Sequence, residues 1–194
     1  MNWIELTAAA FGIAAVYLSA RQSVWNWPLG IINVALYIIV FYRAKLYADM
    51  GLQVVYVVLA AYGWWHWLHG GENHGVLRVS RVPPREVVIL AAAFLFGTAA
   101  LSTFLTRKTD ASLPLADSAL TVASLVAQYM MTRKYLECWL VWLVADVAYV
   151  AMFIYKSLWP TAGLYAVFCV LAVIGWQEWR ESLRQRMSTE TAFA

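Results

Sequence analysis

An internal duplication constrains the fold of this chain more than any other feature. When the sequence is shifted by 112 positions, residues 133–179 align with residues 21–67 without a gap, with 14 identities in 47 positions. Leu and Val identities are expected between any two apolar segments, so the informative matches are those of Trp, Tyr, Gly and Arg. They include Trp27 with Trp139, Tyr37 with Tyr149, and Gly63 with Gly175. The sequence therefore predicts two copies of one scaffold.

The two copies differ at polar positions. The second copy has Trp142 and Asp146 where the first has Gly30 and Val34. In the other direction, the first has Asn33 and Gln53 where the second has Ala145 and Tyr165. Two similar scaffolds with different interior polar groups predict a functional site between them.

The composition indicates an integral membrane protein. Hydrophobic residues make up 63% and charged residues 13% of the 194 residues, whereas about 25% of a soluble domain is charged. A hydrocarbon core of about 30 Å takes around 20 apolar residues per helix. Seven segments of an all-α chain fit this length, at roughly 4–20, 24–42, 50–68, 87–105, 113–131, 136–155 and 159–179. The first lacks a basic start and a clear cleavage site, so we interpret it as a span and not a signal peptide.

The position of the repeats predicts how these spans are arranged. The offset pairs spans one to three with spans five to seven and leaves span four unpaired. Because three spans reverse the direction of the chain, one extra helix lets the second triple enter the membrane in the same orientation as the first. We predict a 3+1+3 arrangement of two parallel repeats. Its parts are repeats 1–68 and 113–194, the second with a cytoplasmic tail, and a cytoplasmic link plus unpaired helix at 69–112.

The distribution of Lys and Arg predicts the orientation. One side of the predicted membrane holds nine of these residues, among them Arg78, Lys134 and Arg186, and the other side holds five. Cytoplasmic links are enriched in Lys and Arg, which places the N-terminus outside and the C-terminus inside the cell. The net charge of +3 is too small to indicate a nucleic-acid partner.

Polar and aromatic residues form stripes on four of the predicted helices, since helical neighbours lie three or four positions apart. Facing one another, the stripes would line a cavity. The candidate substrate-binding residues are Asn33, Tyr37, Gln53, Tyr56, Thr121, Gln128, Trp139, Trp142, Asp146 and Tyr149. The tyrosines among them are equally compatible with helix packing, and the amides with hydrogen bonds between helices.

Asp146 has the strongest functional signal. It lies 11 residues after Tyr135, about 16 Å along a helix, and hence near the middle of the membrane. A carboxylate there costs several kcal/mol unless it is paired or hydrated, and no predicted span has a Lys or Arg at its centre. Asp146 is therefore predicted to bind substrate.

Other conspicuous residues have structural interpretations. Tryptophans near span ends are typical of an interfacial belt: Trp3, Trp25, Trp67, Trp159 and Trp179. The two cysteines, Cys138 and Cys169, have no metal-binding spacing, and the three histidines lie at or beyond one span end. We expect no metal site and no cofactor.

The interior restricts the kind of cargo. A phosphorylated substrate would be expected to meet a cation or a helix terminus at mid-depth, whereas these stripes offer aromatic faces, amides and one acid. Such a lining suits a flat, cationic or neutral solute with hydroxyl groups, because aromatic faces attract positive rings. The sequence predicts a nucleoside-like or vitamin-like cargo.

Several short motifs follow one another in a specific order. They are Trp27-Pro28-Leu29-Gly30 with Asn33 and Tyr37, Leu46-Tyr47-Ala48-Asp49, Tyr62-Gly63-Trp64, Ala127-Gln128, Trp139 and Trp142 with Asp146, and Leu164-Tyr165. In this combination the sequence resembles the PnuC nicotinamide riboside transporters of bacteria, over all seven spans.

The resemblance implies a SWEET-like fold, as in the sugar transporters of that name, in the bacterial inner membrane. It also implies facilitated diffusion of unphosphorylated nicotinamide riboside, trapping by a cytoplasmic kinase, and a homotrimer. Relatives of this type carry thiamine or riboflavin, and the motifs do not separate these cargoes. Some members have an additional N-terminal helix that this sequence lacks.

The polar residues fit a transporter better than two other classes of membrane protein. A membrane enzyme needs a nucleophile, base or metal set at one depth, and Asp146 has no intramembrane His or Lys to act with. A purely structural subunit would leave the unpaired acid unexplained. We therefore predict that the chain is not an enzyme.

Overall fold

Seven α-helices make up most of the chain. The structure, a computed structural model, describes residues 3–43, 47–108, 113–155 and 157–192. The helices are α1 (Trp3–Ala20), α2 (Asn26–Arg43), α3 (Tyr47–His69), α4 (Pro84–Lys108), α5 (Pro114–Thr132), α6 (Cys138–Tyr155) and α7 (Trp159–Ala192). Each corresponds to one predicted segment, which confirms the all-α prediction. Leu46 of the Leu-Tyr-Ala-Asp motif lies outside the described residues.

Proline marks the start of several helices. Pro84 and Pro114 are the first residues of α4 and α5, and Pro160 is the second residue of α7. Proline is tolerated there because the first backbone N–H groups of a helix have no partner within it. Helix α7 continues beyond the predicted span, which ends at residue 179, to Ala192. Its last turns are rich in Glu, Arg, Gln and Leu, which are good helix formers although the apolar segment has ended.

The helices present apolar surfaces to their surroundings. Four of them, Asn26–Arg43, Pro84–Lys108, Cys138–Tyr155 and Trp159–Ser188, are long and apolar enough to cross a membrane. On α4, Val88, Leu95 and Phe96 are each more than 60% exposed, a pattern that suits lipid and not water. These features support a membrane protein with several spans, and the full count of seven spans stays a prediction.

Six helices close into a ring. Each packs against the next in the order α1, α2, α3, α5, α6 and α7, and α7 packs against α1 to complete the circle. The fourth helix packs against α5. The two seams where the N-terminal and C-terminal helices meet are therefore α3 with α5 and α7 with α1.

Four tryptophans form a buried cluster across these seams, which we call the tryptophan quartet: Trp27, Trp67, Trp139 and Trp179. Trp27 meets Trp67 edge-on at 5.3 Å between ring centroids, and Trp139 meets Trp179 edge-on at 5.4 Å. Trp67 and Trp179 then contact each other at 5.8 Å. The two edge-on pairs are related by the offset of 112 positions seen in the sequence.

Reciprocal hydrogen bonds close both seams. The Trp67 Nε1 donates to the carbonyl oxygen of Met131 at 2.9 Å, which joins α3 to α5. The Trp179 Nε1 donates to the carbonyl oxygen of Ser19 at 3.0 Å, which joins α7 to α1. Ser19 and Met131 are also 112 positions apart. Each half of the ring therefore holds the other through the same contact.

The quartet corrects the prediction of an interfacial belt at two positions. Trp67 and Trp179 are fully buried, because their indole N–H groups bond backbone carbonyls across the seams and their rings pack edge-on or tilted in the quartet. Trp3, Trp25 and Trp159 are exposed, as expected of belt residues.

The segment between α3 and α4 is fastened to the α5–α6 turn. Ser80 donates its backbone N–H to Lys134 and accepts one from Leu136, at 3.2 and 2.9 Å. The Glu137 carboxylate accepts the Val82 N–H at 3.0 Å and lies 3.7 Å from Arg81. The link therefore has a fixed path against this end of the ring.

Glycines allow the quartet to pack closely. A Cβ atom at Gly63 would overlap the ring of Trp27, and one at Gly175 would overlap the ring of Trp139. At Gly163, on the same helix as Gly175, a Cβ atom would meet nothing within 4 Å.

This difference predicts opposite effects for the same substitution in α7. Gly175→Ala should lower the free energy of unfolding by about 1–3 kcal/mol, the usual cost of overpacking. The matched control Gly163→Ala should raise it by about 0.5–1 kcal/mol through helix propensity. Thermal unfolding in detergent measures both. Equal effects of the two substitutions would contradict the packing described here.

Candidate functional site: the central cavity

A cavity of about 600 Å³ lies inside the ring, and we call it the central cavity. Its wall takes residues from α1, α2, α3, α5, α6 and α7. The volume lies within the range of about 300–1,000 Å³ that is typical of small-molecule sites. The ring therefore encloses room for one small ligand.

The structure brings together nine of the ten predicted site residues. They are Asn33, Tyr37, Gln53, Tyr56, Gln128, Trp139, Trp142, Asp146 and Tyr149, all on the cavity wall. Thr121 is not on the wall, and instead lies within hydrogen-bonding reach of the Tyr149 hydroxyl. Which of these residues bind substrate stays a prediction.

The tryptophan quartet closes one end of the central cavity. Trp27 and Trp139 belong to both the quartet and the cavity wall. Their indole N–H groups are buried and have no hydrogen-bond partner among the described residues. Trp139 is 1% exposed and packed between Trp179 and Gly175, whereas Trp142 is only half-buried. Trp142 is therefore freer than Trp139 to contact a ligand.

Asp146 is a buried carboxylate without a cationic partner. It lies on the cavity wall and is 4% exposed. The ion pairs between described residues all involve other acids. No Lys or Arg in the described part of the chain lines the central cavity. The carboxylate is thus placed to meet a positive charge or hydroxyl groups of a ligand.

Amide side chains add further hydrogen-bonding groups. Asn33 donates to the carbonyl oxygen of Ala8 at 2.6 Å, and Asn26 donates to the Ser19 hydroxyl at 2.7 Å. The Oδ1 atom of Asn26 is buried and unpartnered among the described residues. Each amide thus uses one donor within the protein, and the Oδ1 atom of Asn26 remains available as an acceptor.

Stacked aromatic pairs line the part of the cavity away from the quartet. Tyr37 stacks with Phe41 at 5.9 Å, and Tyr149 stacks with Phe153 at 5.8 Å. These pairs are 112 positions apart. The ring centroid of Tyr165 lies 4.8 Å from that of Tyr149, so Tyr165 packs against the second pair.

Some wall residues were absent from the predicted set: Trp27, Ser124, Tyr165 and Phe168. The duplication contained a signal for three of them. Trp27 aligns with the predicted Trp139, Tyr165 with the predicted Gln53, and Phe168 with the predicted Tyr56. Ser124 lies three residues after Thr121 and four before Gln128, so helical spacing places it on the same predicted face.

The wall is asymmetric where the two copies diverge. Gly30 and its counterpart Trp142 both line the cavity. A Cβ atom at Gly30 would meet nothing within 4 Å. The missing side chain therefore leaves space on one wall while the other wall carries an indole.

Within the described residues, no three His, Cys, Asp or Glu side chains stand close enough to hold a metal ion. Cys138 and Cys169 are free thiols.

Comparison with known proteins identifies the family. The sequence pattern of one family, described as nicotinamide mononucleotide transporter, matches residues 2–181. The chain belongs to this family. The resemblance to PnuC proteins is thereby confirmed, and the chain is a membrane transporter and not an enzyme.

Individual relatives agree with this assignment. The nicotinamide riboside transporter PnuC of Escherichia coli is 29% identical over 213 residues, covering 97% of this chain and 89% of the relative. The riboflavin/roseoflavin transporter RibM of Streptomyces davaonensis is 26% identical over 180 residues, covering 91% and 84%. A crystal structure of the vitamin B3 transporter PnuC superimposes with a TM-score of 0.75 at 26% identity, covering 94% of this chain and 83% of the other.

The burial of Asp146 predicts a gain in stability when its charge is removed. Asp146→Asn should raise the free energy of unfolding of the ligand-free protein by up to about 3 kcal/mol, the cost of an aspartate at the membrane centre. Asp117→Asn, in the first turn of α5, is the matched control. Asp117→Asn should leave the stability unchanged or lower it slightly, because a negative charge in the first turn interacts favourably with the helix dipole. A loss of thermal stability in Asp146→Asn would contradict an uncompensated carboxylate.

Proposed function

We propose that this transporter carries unphosphorylated nicotinamide riboside across the bacterial inner membrane by facilitated diffusion. The observation that carries the proposal is the unpaired carboxylate of Asp146 in a cavity lined by aromatic rings and amides. Nicotinamide riboside has a positive flat ring and free hydroxyl groups. Since no cation lines the described wall, a phosphate would have no partner there.

Each part of the cargo has a partner on the wall. Asp146 offsets the positive charge of the ring and accepts hydrogen bonds from ribose hydroxyls. Trp142 stacks on the ring, which occupies the space left by Gly30. The oxygens of Asn26 and Asn33 accept hydrogen bonds from the remaining donors.

Riboflavin is the second candidate cargo, because RibM carries that name and matches most of the chain. Its ring system is larger and uncharged, so it gains nothing from a carboxylate that is buried without a counter-ion. Thiamine is a third possibility, and its positive charge would suit Asp146 equally well. Direct comparison of the three ligands separates them.

Transport follows from two parallel repeats in a 3+1+3, SWEET-like arrangement that rock about the cargo. The matched contacts of the tryptophan quartet support this arrangement, and the quartet is the closed end of the pathway. No Lys, Arg or His lines the described wall of the central cavity, which supports uniport. Phosphorylation by a cytoplasmic kinase then traps the cargo, and the working unit is a homotrimer.

The side with more Lys and Arg, which includes the link between α3 and α4, faces the cytoplasm. The N-terminus is then outside and the C-terminus inside. A cysteine introduced at Asn73 should be protected from an impermeant thiol reagent outside intact cells, and one introduced at Lys108 should be labelled. The reverse pattern would overturn this orientation.

The space at Gly30 predicts a specific loss of binding. Gly30→Leu should fold, because the added side chain enters open space, but it should remove the room for the ring. Trp142→Ala should weaken nicotinamide riboside binding by roughly 10- to 100-fold, since stacking on an aromatic side chain is worth about 1–3 kcal/mol. Calorimetric titration of purified protein with nicotinamide riboside, thiamine and riboflavin measures both effects and identifies the preferred cargo.

Gly163→Leu is the matched control, because Gly163 is exposed on α7 and has the same open surroundings. It should bind nicotinamide riboside like the parent. Full affinity in Gly30→Leu would show that the ring does not occupy the central cavity beside α2.

A further inference from the structure

A second cavity lies at the end of the ring that carries the link, and we call it the basic pocket. It has a volume of about 1010 Å³ and is formed by the link, the α1–α2 and α5–α6 turns and residues 182–186 of α7. Among its described lining residues are three cations, Arg78, Lys134 and Arg186, and one acid, Glu72. Its charge is opposite to that of the central cavity, whose described wall has an acid and no Lys or Arg.

Lys134 is the unusual member of this set. Its side chain is almost completely buried, with Nζ 4.5 Å from the centre of the Trp67 ring and 3.0 Å from the carbonyl oxygen of Leu77. An ammonium group has three N–H donors, and the bond to Leu77 uses one. No carboxylate in the described part of the chain forms an ion pair with Lys134. It therefore has hydrogen-bonding capacity for an anion.

The position of Lys134 also separates it from an ordinary surface lysine. It lies in a tight turn with φ 57°, and its counterpart 112 positions earlier is Gln22 with φ 56°. Both residues line the basic pocket. The turn has the same backbone conformation in both copies, but only the second presents a charge. Burial lowers the pKa of Lys134 to about 8, and a bound anion would offset that cost.

We infer that the basic pocket binds a small molecule that bears a phosphate group. Lys and Arg are the side chains that recognise phosphate oxygens, by point charge and by paired N–H donors respectively. Hydroxyl groups of Ser80 and Ser182 stand on the same wall, and so can donate to further oxygens. The apolar side of Val76 suits the organic part of the ligand. The pocket is large enough for a nucleoside monophosphate.

The location of the ligand rests on the proposed orientation, which places this end of the ring in the cytoplasm. Two sources of phosphate are available there, a soluble phosphate ester and the headgroup of an anionic lipid. Both offer the same chemistry to Arg78, Lys134 and Arg186. The measurement must therefore be made with and without anionic lipid.

The test is calorimetric titration of the full chain in nanodiscs of phosphatidylcholine with adenosine monophosphate, and with adenosine as the ligand without phosphate. The monophosphate should bind saturably and adenosine should not. The double variant Arg78→Gln/Arg186→Gln should weaken binding by about tenfold or more, since a hydrogen bond to a charged group contributes about 1.5–3 kcal/mol. Glu72→Gln should strengthen binding, because it removes the negative charge of the one acid among the described lining residues.

The control is Arg81→Gln/Arg184→Gln, which removes the same charge from the same end of the protein but not from the pocket. Arg81 pairs with Glu137 and Arg184 with Glu181, and the control should retain the parent affinity. Equal losses in the two double variants, or no binding by the parent, would overturn the inference. Equally tight binding of adenosine would also overturn it.

Repeating the titration in nanodiscs that contain phosphatidylglycerol distinguishes a soluble phosphate ester from a lipid headgroup as the natural ligand. An unchanged affinity for adenosine monophosphate assigns the pocket to a soluble ester, and competition by the lipid assigns it to a headgroup. Either result supports a phosphate site. Titration with nicotinamide riboside on the same variants keeps the two sites distinct, since the central cavity should be unaffected in all of them.

Discussion

The two indole hydrogen bonds that join Trp67 to Met131 and Trp179 to Ser19 hold the ring of helices together. Lipid is as apolar as a leucine side chain, so helices in a membrane gain little from hydrophobic burial against one another. Close packing and hydrogen bonds between helices decide how they associate. Both occur at the seams, where indole rings pack against glycines and indole N–H groups meet backbone carbonyls. The central cavity exists because these contacts fix the helices around it.

The same cluster separates two chemical environments. On one side, Trp27 and Trp139 face a cavity with Asp146 and amide oxygens, which suits a cationic nucleoside. On the other side, Trp67 is covered by the ammonium group of Lys134, at the wall of a pocket with three cations. The central cavity therefore suits a cationic ligand without phosphate, and the basic pocket suits a ligand that bears a phosphate group. Asp146 and Lys134 both stand at positions where the two copies differ, opposite Val34 and Gln22, so divergence placed one charge at each end.

The duplication made much of the fold and site predictable. Apolar segments and prolines located all seven helices, and helical spacing placed nine site residues on one cavity. Sequence spacing defines a face of a helix but not what that face meets. For that reason the sequence predicts Trp67 and Trp179 as belt residues, whereas both are buried in the tryptophan quartet. It also predicts Thr121 as a binding residue, whereas Thr121 is within hydrogen-bonding reach of the Tyr149 hydroxyl and is not on the described wall. Tyr165 aligns with the predicted Gln53, but the two side chains differ in chemistry, so the alignment alone assigns Tyr165 no role. Helix α7 continues past its apolar segment because helix propensity, and not hydropathy, sets its end.

Uptake by purified protein in liposomes tests the central claim most directly, which is that Asp146 binds a cationic cargo and does not carry protons. The account predicts that nicotinamide riboside enters down its own gradient with no proton or sodium gradient imposed. With the membrane potential collapsed, the internal concentration should approach the external one and stop there. Accumulation well above the external concentration, driven by an inward proton gradient under those conditions, would contradict the account.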